Sequence, residues 1–135
     1  MKLRQLWDYI GTIVQHESLS PALFTIIRLL VSEQQKCEYC VGLNAGFLMQ
    51  EGMTEEQIDA IKADPQQAPL NDKEKALLLL VMKAAKDSNS LTAEDMDKVR
   101  AQGASDREIY DAIGHAANQM WGDMMLNAFK VERDF

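Results

Sequence analysis

Helix start signals recur at short intervals along this chain, and they constrain its fold more than any other feature. Ser20 before Pro21 is typical of an N-cap followed by the first helical residue. Thr54, Thr92 and Ser105 each precede an acidic or amide side chain at the position that a capping box requires. Apolar residues between these signals recur at helical spacing, and strand patterns are nearly absent. The sequence therefore predicts an all-α protein.

The caps, glycines and prolines divide the chain into about six to seven helices. We expect an orthogonal multi-helix bundle that forms a single domain over residues 1–135. Six of the predicted helices cover residues 3–15, 21–35, 37–52, 54–64, 92–103 and 105–129. A further helix is predicted to begin at the cap at position 71, and its apolar residues extend to position 82.

Charge and hydropathy exclude several classes of function. The net charge is −7, and no basic stripe is present, so neither nucleic acid nor an anionic membrane surface is an expected partner. No stretch approaches the roughly 20 apolar residues that span a bilayer. The N-terminus carries charges where a signal peptide would be apolar, so we expect a cytoplasmic protein.

Two cysteines, Cys37 and Cys40, stand three positions apart where a helix is expected to start. That spacing places both side chains on one helical face, within reach of a disulfide. A helix start favours a thiolate, and a second thiol can resolve a sulfenic acid or mixed disulfide. A structural zinc site normally needs four N or S ligands, so neither metal nor cofactor is expected. Two inert core cysteines remain an alternative.

The segment 33–46, which contains Cys37-Glu38-Tyr39-Cys40, resembles the core motif of the AhpD-like family. That family also contains the carboxymuconolactone decarboxylases. The helix stop at Gly52 and the segment 113–129 extend the similarity. The resemblance implies an all-α bundle assembling into homo-trimers or homo-hexamers. It also implies reduction of a hydroperoxide or disulfide by the cysteine pair, with electrons from a partner protein or small thiol. Cys40 would attack and Cys37 would resolve, whereas position at the helix start alone favours Cys37.

The proton relay implied by the resemblance is altered in this chain. Asn44 stands where thiol-active members have a His, and Thr25 stands where they have a Glu. Asn cannot titrate. The hypothesis is that Glu33, the nearest acid before Cys37, replaces the relay if it is buried beside the thiols. Tyr39 either supplies a hydroxyl to the site or fills space.

Three functional hypotheses follow. The first is an antioxidant thiol peroxidase or disulfide reductase that uses Cys37 and Cys40. The second is an acid–base enzyme on a small lactone, as in the decarboxylase branch, centred on His115 of the last helix. The third is a non-catalytic, redox-sensing oligomeric module.

Overall fold

The computed structural model describes residue 8 and residues 15–135, and in these residues it contains α-helices and two short 3-10 turns but no strand. The all-α prediction is confirmed. The predicted helix over 3–15 lies outside the described residues except at positions 8 and 15. The described α-helices are α1 (Pro21–Gln34), α2 (Glu38–Gln50), α3 (Glu55–Ala63), α4 (Asp72–Lys86), α5 (Ala93–Ala101) and α6 (Asp106–Ala128).

The predicted caps form at the helix N-termini. The Ser20 hydroxyl accepts a hydrogen bond from the Leu23 backbone N–H at 3.3 Å. Thr54, Thr92 and Ser105 each complete a reciprocal capping box. An N-cap of this kind stabilises a helix by about 1 kcal/mol, so local sequence alone fixes where these helices begin.

Two glycines end helices in the left-handed region, where a side chain would be strained. Gly52 follows α2 with φ 97°, and Gly103 follows α5 with φ 96°. Glycine adopts this conformation without a steric cost, which explains the helix stops predicted at both positions.

Helix α1 lies at the centre of the described part of the molecule and packs against α2, α4 and α6. Its apolar side chains belong to the same hydrophobic core cluster as Leu48 of α2 and Leu78 of α4. The largest of them, all essentially inaccessible to solvent, are Leu23, Phe24, Ile26, Ile27, Leu29 and Val31. None of the described helices is long and apolar enough to cross a membrane.

Adjacent leucines on α4 test the burial of this core. Leu78 is 0% exposed and Leu79 is 38% exposed. We expect Leu78→Ala to lower the free energy of unfolding by about 2–5 kcal/mol, because it removes apolar contacts and leaves a cavity. The matched control Leu79→Ala should change it by only about 0.5 kcal/mol. Urea unfolding followed by circular dichroism measures both, and equal losses would contradict the described packing.

Candidate thiol site

The two cysteines lie where the chain passes from α1 into α2. Lys36 adopts a left-handed φ of 56°, and the Cys37 N–H then donates to the Ser32 carbonyl at 3.0 Å. This turn makes Cys37 the N-cap of α2 and puts Cys40 in its first turn. Both cysteines are free thiols, buried to 1% and 5% exposure respectively. Both cysteines therefore belong to the N-terminal end of α2, where the first backbone N–H groups lack helical partners, although the Cys37 sulfur makes no capping hydrogen bond.

A third chemical group, the carboxylate of Asp123, completes this site from α6. One carboxylate oxygen and the two sulfurs all lie within 4.8 Å of one another, and Asp123 is fully buried. Sequence reasoning missed Asp123 as a site residue. A signal was present, because Asp123 is the single acidic residue between Asp111 and Glu132.

Two polar side chains orient the Asp123 carboxylate. Its Oδ1 accepts hydrogen bonds from the Ser32 hydroxyl and the Gln119 side-chain amide, both at 2.9 Å. Gln119 also donates to the Ser32 oxygen at 3.1 Å. Asp123 Oδ2 has no hydrogen-bond partner among the described residues. One oxygen is therefore held in place while the other remains available.

The surroundings of Cys40 oppose its ionisation. Burial raises the pKa of the Cys40 thiol well above its usual range, and the side chains of Cys37 and Asp123 raise this pKa further. A thiolate in this position would meet both low polarity and a neighbouring negative charge. Cys40 is therefore a protonated thiol at neutral pH.

An open pocket of about 520 Å³ lies beside the thiol site. Cys37 contributes to its wall, and the segment 130–133 forms the opposite side. Tyr39 also lines this pocket, and its ring packs edge-on against Phe135 with centroids 5.4 Å apart. The pKa of Tyr39 is raised, mainly by the negative charge of Asp134. Tyr39 thus contacts the C-terminal segment, and a small molecule in the pocket would approach Cys37.

Glu33 was proposed to act in the proton relay on the condition that its side chain is buried beside the thiols. Its side chain is 49% exposed, and one carboxylate oxygen lies 3.7 Å from Lys62 Nζ. One helical residue turns the side chain by about 100°, so Glu33 points away from the site that its neighbour Ser32 reaches. The condition under which Glu33 would replace the relay, burial beside the thiols, is therefore not met, and Asp123 is the acid near the two sulfurs.

Thr25 and Asn44, the two residues at the altered relay positions, both contact the guanidinium of Arg28. Arg28 Nε donates to Asn44 Oδ1 at 2.8 Å, and Arg28 Nη2 donates to the Thr25 hydroxyl at 3.0 Å. Asn44 in turn donates to the Cys40 carbonyl at 2.9 Å. A guanidinium stays protonated at any physiological pH, so this cluster holds the backbone of α2 rather than moving a proton.

His115 completes the Arg28 cluster from α6. Its Nε2 lies 3.1 Å from Arg28 Nη1, and its Nδ1 has no partner among the described residues. Because arginine only donates, Nε2 accepts and Nδ1 carries the proton. Burial, followed by the charge of Arg28, lowers the pKa of His115 to about 3. His115 is therefore neutral at physiological pH.

Three solved structures share this fold at low sequence identity. An uncharacterized peroxidase-related protein from Silicibacter sp. TM1040 superimposes with a TM-score of 0.84 at 20% identity, over 97% of this chain and 69% of its own. An alkylhydroperoxidase AhpD core protein from Ralstonia eutropha JMP134, also peroxidase-related and uncharacterized, gives 0.80 at 20% identity, over 94% and 67%.

The third is a protein of unknown function from Agrobacterium tumefaciens, provisionally described as the antioxidant defence protein AhpD. It gives a TM-score of 0.77 at 19% identity, over 99% of this chain and 91% of its own. At these identities the structures establish the fold, which is the AhpD-like bundle expected from the sequence. A comparison with curated proteins finds no match.

The sequence profile of the carboxymuconolactone decarboxylase family matches residues 3–81, which is more than half of the chain and includes both cysteines. Together with the AhpD-like bundle, this match shows that the chain belongs to the carboxymuconolactone decarboxylase family.

Proposed function

We propose that the protein is a thiol oxidoreductase in which Cys37 and Cys40 cycle between dithiol and disulfide while reducing a hydroperoxide or a disulfide. The observation that carries this proposal is the proximity of the two sulfurs, which lie within 4.8 Å of each other. A rotation about the side-chain bonds of either cysteine can bring the sulfurs to bonding distance. The peroxidase-related proteins that share the fold support an antioxidant role.

Cys37 is the attacking thiol in this proposal, and Cys40 is the resolving thiol. Cys37 borders the open pocket and caps α2, whereas Cys40 is held in its protonated form by burial and by Cys37 and Asp123. This order reverses the one implied by the family resemblance.

The reaction balances without a bound cofactor. The Cys37 thiol first releases its proton to solvent, and the thiolate attacks the terminal oxygen of a hydroperoxide. The O–O bond breaks, Cys37 becomes a sulfenic acid, and the leaving alkoxide takes up one proton from solvent to form the alcohol. The Cys40 sulfur then displaces the sulfenic oxygen, which leaves as water while the disulfide forms. With a disulfide substrate, Cys37 attacks one sulfur and Cys40 resolves the mixed disulfide.

Asp123 is the group positioned to take the proton that Cys40 loses in the resolving step. One of its carboxylate oxygens lies within 4.8 Å of both sulfurs, and its Oδ1 is fixed by Ser32 and Gln119. A side-chain rotation that brings a carboxylate oxygen within hydrogen-bond reach of the Cys40 sulfur allows Asp123 to accept this proton. In this role Asp123 replaces the Glu–His relay that Thr25 and Asn44 cannot form.

A dithiol protein or a small thiol returns the pair to its reduced state by attacking the disulfide through the pocket beside Cys37. Assembly into homo-trimers or homo-hexamers and a cytoplasmic location stay predictions. Large apolar side chains on α2 and α6 are exposed and offer surface for assembly, among them Phe47, Trp121 and Met124.

The thiol hypothesis is favoured over the one centred on His115. An acid–base catalyst works best with a pKa near the working pH, and the pKa of His115 is about 3. Its Nε2 is also occupied by Arg28. The non-catalytic redox module differs from the proposal only in the rate at which hydroperoxide oxidises the thiols.

Hydroperoxide titration of the reduced protein tests the proposed cycle. We expect one equivalent of hydroperoxide to consume two thiols, since the disulfide forms within one chain. In Cys40→Ser, a sulfenic acid should accumulate on Cys37 because no thiol resolves it, and dimedone labelling with mass spectrometry detects it. In Cys37→Ser, Cys40 should stay largely unlabelled.

Glu33→Gln serves as the matched control, and its thiol oxidation should equal that of the unmodified protein. Labelling of Cys40 but not Cys37 would reverse the proposed order. Oxidation no faster than that of free cysteine would reject the enzyme hypothesis and leave the redox module.

The pKa of the Cys40 thiol reports the effect of the negative charge on Asp123. In the Cys37→Ser background, Asp123→Asn should lower the pKa of Cys40, because it removes a negative charge beside the thiol while keeping an acceptor for Ser32. Ultraviolet absorbance of the thiolate against pH gives the midpoint. Glu33→Gln in the same background should leave the midpoint unchanged, and an unchanged midpoint in Asp123→Asn would separate Asp123 from the thiols.

The neutral state of His115 should make the protein sensitive to acid. The pKa of His115 is about 3 in the folded protein against 6.5 when unperturbed, so the unfolded chain binds the extra proton first. Its contribution to stability is complete above pH 6.5 and is lost as the pH falls from 6.5 towards 3. At pH 5 the loss amounts to about 2 kcal/mol.

His115→Gln keeps an acceptor for Arg28 but cannot titrate. Urea unfolding at pH 7 and at pH 5 should therefore show a smaller decrease for His115→Gln than for the unmodified protein, by about 2 kcal/mol. Equal decreases would mean that His115 is protonated in the folded state.

A further inference from the structure

We propose that Cys37, Cys40 and Asp123 form a binding site for one thiophilic divalent cation of the Zn²⁺ type. The two sulfurs and one carboxylate oxygen supply three ligands, and the fourth position remains open towards a water or another small ligand. The count of cysteines and histidines in the sequence gave no expectation of zinc, because it left out oxygen ligands. Aspartate is a regular ligand of zinc beside cysteine.

The distances suit such an ion. Zinc binds sulfur at about 2.3 Å and carboxylate oxygen at about 2.0–2.2 Å, so tetrahedral ligand atoms lie about 3.5–3.8 Å apart. The three ligand atoms lie within 4.8 Å of one another before any ion is bound. Adjustments of about 1 Å, which side-chain rotations provide, bring them to coordinating positions.

A second observation, independent of the clustering, is the free carboxylate oxygen. Asp123 is fully buried, and its Oδ2 lacks a hydrogen-bond partner among the described residues. A buried polar atom without a partner costs about 1–3 kcal/mol, more when it is charged. A bound cation would remove this cost, since it replaces the missing partner.

The surroundings of Asp123 resemble the outer shell of a metal site. Ser32 and Gln119 both donate to Oδ1 and so fix the plane of the carboxylate. Hydrogen bonds of this kind orient ligating groups, and their loss typically weakens metal binding by about 10–100-fold. The ligands come from the start of α2 and from α6, so an ion would join two segments that are distant in sequence.

Metal and disulfide exclude each other, because both use the same two sulfurs. Binding requires both thiols to ionise, and their protons are released to solvent. The bound form holds two thiolates, one carboxylate and a divalent ion, with a net charge of −1. A hydroperoxide cannot oxidise thiolates while they are shared with the ion as readily as when they are free, so the cation protects the site.

Cobalt and zinc binding to the reduced, metal-free full chain tests the site. Co²⁺ bound by two thiolates gives sulfur-to-cobalt charge-transfer absorption and intense visible bands of tetrahedral geometry. We expect one Co²⁺ per chain with these bands, displacement by Zn²⁺, and release of protons in unbuffered solution. Absence of the thiolate bands at a several-fold excess of Co²⁺ would overturn the proposal.

Variants identify the ligands. Cys37→Ser, Cys40→Ser and Asp123→Asn should each weaken Zn²⁺ binding by at least about 100-fold, more than the loss of an outer-shell partner. Glu33→Gln, which removes an acid outside the cluster, should bind as the unmodified protein does. If Asp123→Asn bound Zn²⁺ with unchanged affinity, the three-ligand site would be rejected. Should that variant fail to fold, Ser32→Ala replaces it, and an unchanged affinity there counts against an oriented carboxylate.

The binding experiment is independent of the proposed reaction. It is carried out under a thiol-free reductant and without hydroperoxide, whereas the thiol titration is carried out on chelator-treated protein. A protein that binds zinc but does not react with hydroperoxide would retain this inference and lose the proposed function, and the reverse result would do the opposite.

Discussion

The central position of α1 is the constraint on which the rest of the structure depends. Because α2, α4 and α6 cover this helix, any polar side chain that it carries into the interior must find partners there. Thr25, Arg28 and Ser32 are spaced by three and four residues and so lie on one side of α1. Arg28 and Ser32 find partners on α2 and α6, whereas the Thr25 hydroxyl bonds within α1. Each unsatisfied group would cost about 1–3 kcal/mol. The polar contacts of the site are therefore also contacts that set how three helices fit together.

These partners divide the interior into two groups of opposite charge. The hydrogen-bond partners of the Arg28 guanidinium among the described residues are uncharged, namely Thr25, Asn44 and His115. Ser32 meets the anion Asp123, with the thiols beside it. Asn44 connects the two groups through the carbonyl of Cys40. In this arrangement the cation Arg28 holds Thr25 and Asn44 in place, and Asp123 from another helix approaches the sulfurs.

Local features were predictable from the sequence, and contacts between distant residues were not. The caps at Ser20, Thr54, Thr92 and Ser105 depend on residues three positions away, so their pattern is readable in the chain itself. The spacing of Cys37 and Cys40 is equally local. Proximity in sequence was misleading for Glu33. Three residues separate it from Cys37, the last of them Lys36 in a left-handed conformation, and the Glu33 side chain faces outwards.

The acid that does reach the thiols lies more than 80 residues away, and only the packing of α6 against α1 brings it there. The sequence feature that could have indicated this acid is its position as a single charged residue within an otherwise uncharged helical segment. Burying a charged residue is unfavourable in free energy unless it has a partner, so its presence indicates a partner in the interior even when the sequence does not reveal which one.

The position of both cysteines within a single turn has a consequence for the oxidised protein. A disulfide between them closes a loop of four residues, which restricts the unfolded chain by only about 2 kcal/mol, against about 4.7 kcal/mol for a loop of 100 residues. The crosslink joins no two helices, so the bundle gains little conformational stability from oxidation and loses little on reduction. In the proposed cycle, the chain would therefore pass between dithiol and disulfide without a change in the packing of its helices.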